Sequence, residues 1–210
     1  MSKRIKLENL EVAGFKSALR GMRNPMNSHH LSDTVEDWHM VAIGANDLDL
    51  AVRLIKAGPS HRKFLRQIMI WVDITACLKW WDEFDTYLHT VKNSTSQMHK
   101  LGNRELTQYD FSSPIPDVLL NLINEKISVF AKERTPESWR EMIDVIPQSF
   151  LYTRTTMMSY ECFLTMYPNR KNHKMEEWRE FCVWGLERLP YMEKFINPLE
   201  ETNENKDITS

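Results

Sequence analysis

The stretch that most constrains this chain is QIMIWVDITACLKWWDEF, residues 67–84. Ile68, Ile70, Val72 and Ile74 recur every second residue, and the run is rich in β-branched side chains, which predicts a strand with one apolar face. Met69, Trp71, Asp73 and Thr75 then fall on the opposite face. The following LKWWDEFDTYL changes to helical spacing and is expected to bury Trp80, Phe84, Tyr87 and Leu88. A strand that passes into a helix must set both apolar surfaces against one core, so the chain needs a sheet covered by helices.

The rest of the sequence supplies the partners. LENLEVAGFKSALRGMRNPM starts with strand alternation and becomes helical before Pro25. Residues 24–37 read as a loop. NDLDLAVRLIKAGP predicts a helix capped by Asn46, with Asp47 and Asp49 in its first turn and Gly58-Pro59 ending it. DVLLNLINEKISVFAKE has amphipathic spacing, and Thr135-Pro136 starts another helix, PESWREMIDVI. SFLYTRTTMMSYECFLTMY reads as a helix with a β-rich beginning, ended or kinked at Pro168. KMEEWREFCVWGLERL lines up Trp178, Phe181, Cys182 and Gly185 on one stripe. The sum is a helix-rich α+β chain with one domain over residues 1–198 and a disordered polar tail over 199–210.

With 210 residues there is material for a sizeable core, and seven Trp and twelve Met give heavy stocks for packing cores or subunit interfaces. A formal charge of −2 gives no general reason to expect nucleic acid as a partner. No apolar run is long enough to span a bilayer and no signal-peptide pattern opens the chain, so a cytoplasmic protein without membrane association is expected. Cys77, Cys162 and Cys182 lack paired spacing and are expected as reduced, packed thiols. The histidines form no metal-binding motif, so no metal is expected, and phosphate-loop, dinucleotide and serine-hydrolase motifs are missing.

Two basic groups and one polar stretch remain as binding candidates. His61, Arg62, Lys63 and Arg66 follow a helix end, while Arg170, Lys171, His173 and Lys174 lie between two helices; guanidinium groups at such places suit phosphate. TYLHTVKNSTSQMHKL, residues 86–101, carries hydroxyls and amides that can hold phosphate, ribose or a base edge without formal charge.

Three of these segments, in this order, resemble the flavin-dependent thymidylate synthases. NDLDLAVRLIKAGPSHRKFLRQIMIWVDITACLKWWDEF resembles that family's helix, turn, strand and helix. FDTYLHTVKNSTSQMH resembles its Phe-Arg-His-Arg signature followed by Asn-Glu-x-Ser-x-Arg-Tyr, and SYECFLTMYPNRKNHKMEEWREFC resembles its late helix and Arg segment. The resemblance implies a helix-rich fold with a small antiparallel sheet, a homotetramer with sites shared between chains, and a family chemistry that makes dTMP from dUMP with FAD, NADPH and methylene-tetrahydrofolate. The chain departs from the pattern where ligands are held. Asp85-Thr86-Tyr87 stands at the Arg-His-Arg position, and an anionic Asp85 would repel a phosphate group. Asn93 and Ser96 match the family, whereas Ser94, Met98 and His99 replace its Glu, Arg and Tyr. Arg170 corresponds to a nucleotide-binding Arg.

On this reading Arg62, Asp85, Tyr87, Asn93, Ser94, Thr95, Ser96, Gln97, His99 and Arg170 form the ligand site, and no catalytic residue is assigned. The expected partner is a nucleotide or nucleotide-derived small molecule, with FAD in the family's usual manner disfavoured. The chain also resembles phage-encoded relatives of the family, for which sequestering a host signalling nucleotide would be one use. The alternatives are FAD-dependent methylation of dUMP or a related pyrimidine modification, and a non-catalytic oligomeric scaffold.

Overall fold

The computed structural model describes residues 4–36, 40–96 and 101–207, with side chains described as far as residue 199. Strand β1 (Lys6–Ala13) leads into helix α1 (Phe15–Gly21) through Gly14. That turn has φ 102°, and a Cβ there would collide with the Gln67 carbonyl, so both conformation and space call for glycine. The loop expected over 24–37 contains short 3-10 turns and the strand β2 (Val35–Glu36), which pairs with β3 (Val41–Ala42).

Helix α2 (Ala45–Lys56) lies where the sequence places it, but its cap is different. Asp33 accepts hydrogen bonds from the backbone N–H groups of Asn46 and Asp47, each at 2.9 Å, while Asn46 sits inside the first turn. A loop folded back from upstream therefore does the capping that the sequence assigns to Asn46.

The strand read from residues 68–75 is β4 (Met69–Cys77), and helix α3 (Leu78–Phe84) follows it directly. Ile70, Val72, Ile74 and Ala76 are buried, in the expected alternation. Helix α3 buries Trp80, Trp81 and Phe84 but stops there, leaving Tyr87 half-buried and Leu88 76% exposed, contrary to the expected burial of both. Residues 91–94 form a short strand, β5 (Val91–Ser94), where a ligand loop was expected.

Helices α4 (Asp117–Glu133) and α5 (Pro136–Asp144) follow, the latter capped by the Thr135 hydroxyl accepting from the Ser138 N–H at 3.2 Å. The β-rich beginning of SFLYTRTTMMSY is a full strand, β6 (Leu151–Ser159), so helix α6 (Tyr160–Arg170) begins later than the sequence reading places it. Adjacent threonines and methionines suit either helix or strand; the free edge of β4 decides the outcome, because β6 pairs along its whole length. Helices α7 (Glu176–Arg188) and α8 (Met192–Asp207) complete the chain. Helix α8 runs into the segment expected as a polar tail from residue 199, of which 208–210 lie outside the described residues.

The main sheet has four antiparallel strands in the order β1-β4-β6-β5. Its inner face packs on an aromatic cluster in which Trp80 stacks on Phe84 at 4.9 Å and meets Trp178 at 4.6 Å. Trp178, Phe181, Cys182 and Gly185 are all buried, as their stripe on α7 predicts, and Gly185 is packed so closely on the Phe163 ring that a Cβ would overlap it. A second, smaller core gathers Leu101, Leu106, Phe111, Ile123, Ile127, Phe130, Met142 and Phe150 around α4 and α5. This is the helix-rich α+β class expected, with a small antiparallel sheet.

Candidate ligand-binding site

The turn after α3 is tied down locally. The Asp85 N–H donates to the Trp81 carbonyl at 2.8 Å, the Tyr87 N–H to the Phe84 carbonyl at 3.0 Å, and the Thr86 hydroxyl to the Glu83 carbonyl at 2.7 Å. His89 then takes φ 63°, a left-handed conformation that turns the chain into β5. The turn faces the start of α6, where the Cys162 thiol lies 3.7 Å from the Leu88 carbonyl.

Between these two pieces of chain lies a cavity of about 660 Å³. The turn contributes Thr86, Tyr87, Leu88 and His89, the end of β6 contributes Ser159, and α6 contributes Glu161, Cys162 and Thr165. Arg66 and Met69 complete the wall. Such a lining, mostly apolar with a few hydroxyls and charges, suits a small amphipathic molecule. Burial pushes the Cys162 thiol up to about 11, so it stands in the wall as a neutral group and not as a thiolate.

Cations surround the turn, and carboxylates of the same chain close them. Asp85 accepts from Arg154 Nη1 at 3.0 and 2.9 Å and is paired with Lys92 Nζ at 2.8 Å. Burial would raise the Asp85 carboxyl, but hydrogen bonds and charge from Lys92 and Arg154 hold it below the ordinary aspartate value. Glu83 Oε2 accepts from Arg170 Nη1 at 2.6 Å and from the Trp178 indole N–H at 3.0 Å, with His173 Nε2 at 3.3 Å. Arg170 also donates from Nε to the Tyr87 hydroxyl at 2.7 Å and lies over the Trp178 ring at 4.4 Å. Glu161 receives Arg62 Nε at 3.1 and 3.0 Å. Aromatic rings also hold both partners of Asp85 in place, Arg154 over Trp81 at 4.4 Å and Lys92 over Phe84 at 5.4 Å.

The site residues expected from sequence divide between two places. Arg62, Asp85, Tyr87 and Arg170 gather around the turn, with Tyr87 on the cavity wall and Arg62 behind it. Asn93 is opposite Thr155 and Ser94 opposite Arg154, so alternation turns Asn93 to the far face of the sheet. Thr95 and Ser96 line a different cavity of about 350 Å³, together with Thr75, Thr153 and the Arg104–Asp110 ion pair. Gln97 and His99 lie outside the described residues.

Sequence reasoning missed Glu83, Lys92, Arg154 and Glu161. Arg154 could have been found only once its segment was read as a strand, since an arginine on the inner face of a sheet must bring a partner with it. Among the described residues no group of three or more His, Cys, Asp or Glu could hold a metal ion, and no helix is long and apolar enough to cross a membrane. The three cysteines are free and buried.

No family model and no curated protein sequence matches the chain. Solved structures do. A crystal structure of thymidylate synthase X (ThyX) from Helicobacter pylori with FAD and dUMP is similar at a TM-score of 0.68 and 11% identity, covering 92% of this chain and 96% of that one. A second structure, of flavin-dependent thymidylate synthase ThyX from Helicobacter pylori complexed with FAD and dUMP, gives 0.70 and 11%, covering 90% and 97%. At this identity the likeness speaks for architecture alone, and over nine-tenths of the chain it bears out the resemblance read from the sequence: the fold is that of the flavin-dependent thymidylate synthases.

Proposed function

We propose that this chain binds a nucleotide or nucleotide-derived small molecule in the cavity between the 85–89 turn and α6, using a thymidylate synthase-like scaffold without that family's chemistry. The observation that carries the reading is the position of the cavity. It is built on the turn that the sequence resemblance sets at the family's Arg-His-Arg triplet, and its volume of about 660 Å³ suits a drug-sized ligand. Leu88, 76% exposed on the rim, supplies an apolar surface that a bound ring would cover. In this reading the protein is a homotetramer whose neighbouring chains complete the pockets, and tight binding without turnover would suit sequestration of a signalling nucleotide.

FAD and dUMP are present in the two similar structures, so FAD-dependent methylation of dUMP is the second reading. The residues present here do not fit the pyrophosphate of FAD. A pyrophosphate needs cations or backbone donors free to point at it. Around this turn Arg62, Lys92, Arg154 and Arg170 are each committed to a carboxylate of the same chain or, for Arg170, to a carboxylate and a phenol, which leaves Arg66 as a single cation on the wall for two phosphates. No step through FAD is therefore derived.

Native mass spectrometry of gently purified full-length protein, followed by denaturation and mass analysis of anything released, tests the proposal. A nucleotide-derived molecule other than FAD or dUMP is the expected result. Stoichiometric FAD with dUMP-dependent flavin oxidation would replace the binding reading with the enzymatic one, and an oligomer that stays empty and binds nothing added would leave a scaffold.

A further inference from the structure

The cavity is electrostatically unlike a phosphate site, although cations surround it. Arg62, Lys92, Arg154 and Arg170 keep side-chain exposures of only 11%, 16%, 16% and 16%. Each has one charged nitrogen within 3.1 Å of a carboxylate oxygen. To reach a ligand phosphate, any of them would have to leave its partner, which strands an unpaired carboxylate beside the incoming anion, largely buried for Glu161 and Glu83 and half-exposed for Asp85. The phosphate would also face Glu161, which lines the wall itself. The four paired cations lie behind the wall; among the described residues the only lysine or arginine that lines it is Arg66, which has no carboxylate partner.

Resting on the binding reading above, we infer that the cavity selects a ring ligand with at most one negative charge, a nucleobase, nucleoside or similarly hydroxylated heterocycle, and disfavours pyrophosphate-bearing nucleotides. The chemistry of the wall agrees. Met69, Leu88 and the neutral Cys162 thiol can cover a ring; the Thr86 and Thr165 hydroxyls, which donate to the Glu83 and Glu161 carbonyls, keep lone pairs to accept from its polar edge, and the Ser159 hydroxyl, which accepts from the Cys162 N–H, keeps its proton to donate. Asp85 and Glu161 thus occupy the cations in the way that ligand phosphates otherwise would.

Two graded series on the full-length protein test this, with affinity read by isothermal titration: riboflavin, FMN and FAD; and uridine, UMP and UDP. Each series keeps its ring and adds phosphate charge. The expected order is flat or falling from the uncharged to the pyrophosphate-bearing member, with FAD and UDP at least about tenfold weaker than riboflavin and uridine. Glu161→Gln, which removes the counter-charge of Arg62, and Asp85→Asn, which removes that of Lys92 and Arg154, should each move the ratio of pyrophosphate-bearing to uncharged affinity upward by about tenfold. The wild-type series decides the matter even if a variant folds poorly. Affinity rising with phosphate charge in the wild type overturns the inference and leaves the binding reading standing. No binding by any member at millimolar concentration overturns the binding reading, and the inference with it.

Discussion

Asp47 and Asp85 are both aspartates held in their charged form, yet they do different work. Asp47 has no exposure, and its donors are mostly neutral: the Ser32 and Thr34 hydroxyls at 3.0 and 2.6 Å and the backbone N–H groups of Asp33 and Thr34 at 3.1 and 3.0 Å. One buried cation, Arg23, adds a bond of 2.6 Å. Asp85 keeps 42% of its side chain exposed, and its partners are the two cations Lys92 and Arg154. The first arrangement ties residues 32–34 and the end of α1 to α2. The second cancels charge beside a cavity. Burial with neutral donors marks a carboxylate that holds the fold, whereas exposure with cationic donors marks one that sets an electrostatic environment.

The sharpest break of that comparison is Asp47→Ala. Removing the carboxylate leaves Arg23 buried without its counter-charge and several donors unsatisfied, a change that costs about 3–5 kcal/mol in proteins. Urea unfolding followed by circular dichroism should show a loss of that size. If Asp47→Ala is nearly neutral, the buried network is ornament and the contrast with Asp85 disappears.

Arg170 falls between the two cases. The sequence reading makes it a nucleotide-binding arginine, whereas its guanidinium joins Glu83, Tyr87 and the Trp178 face, with 16% of the side chain exposed. Arg170→Ala should therefore cost about 1–3 kcal/mol of stability, from one charged hydrogen-bonded pair left incomplete. Arg170→Lys keeps the charge but cannot reproduce the fork to Glu83 and Tyr87, so it should recover only part of the loss. Ligand affinity that falls in Arg170→Ala without any change in the unfolding midpoint would instead place Arg170 in direct contact with ligand.

These cases also show what the sequence could and could not disclose. Helix α2, strand β4 and the stripe on α7 were legible because their apolar periods are long and unbroken, so that local pattern and burial agree. The cap on α2 was not legible, since Asp33 reaches it from a loop whose course depends on Asp47. Strand β6 hid behind residues that suit either helix or strand, and pairing with β4 decides it. Of the candidate site, Asp85, Tyr87, Arg62 and Arg170 gather around one turn, whereas Asn93, Thr95 and Ser96 do not join them. The charge around that turn was not legible: Arg154 is 69 residues from Asp85, and Arg170 is 87 from Glu83. An unpaired Asp85 reads as a group that repels phosphate directly, whereas in the fold it acts by occupying cations.

Acid separates the two aspartates in one experiment. Burial raises the Asp47 carboxyl, but Thr34, Arg23, Ser32 and the Asp33 N–H together bring it below the ordinary value of 3.8. A carboxyl whose folded value is depressed adds stability above its unfolded value, and that contribution is lost as pH falls through the folded one. Wild-type protein should therefore lose stability on acidification below pH 3.8, and Asp47→Asn should lose less over the same window. Asp85 is shifted in the same direction, but it is more exposed and screened by solvent, so Asp85→Asn should leave the acid slope close to that of the wild type. Equal flattening by both substitutions would mean that the two carboxylates are equally coupled to folding.

Asp85→Asn at neutral pH carries the smallest expected effect and the most pointed one. Exposed ion pairs contribute at most about 1 kcal/mol, and the amide can still accept a hydrogen bond from Arg154. Arg154 and Lys92 also remain seated on Trp81 and Phe84, so neither needs the carboxylate to stay in place. The unfolding midpoint in urea should therefore barely move. What changes is the charge beside the cavity, which rises by one unit while the packing that shapes it stays as it was. A loss as large as that of Asp47→Ala would make Asp85 a residue of the fold. The cations would then be held by the architecture for its own sake, and selection for weakly charged ligands would be a by-product of folding instead of a property of the site.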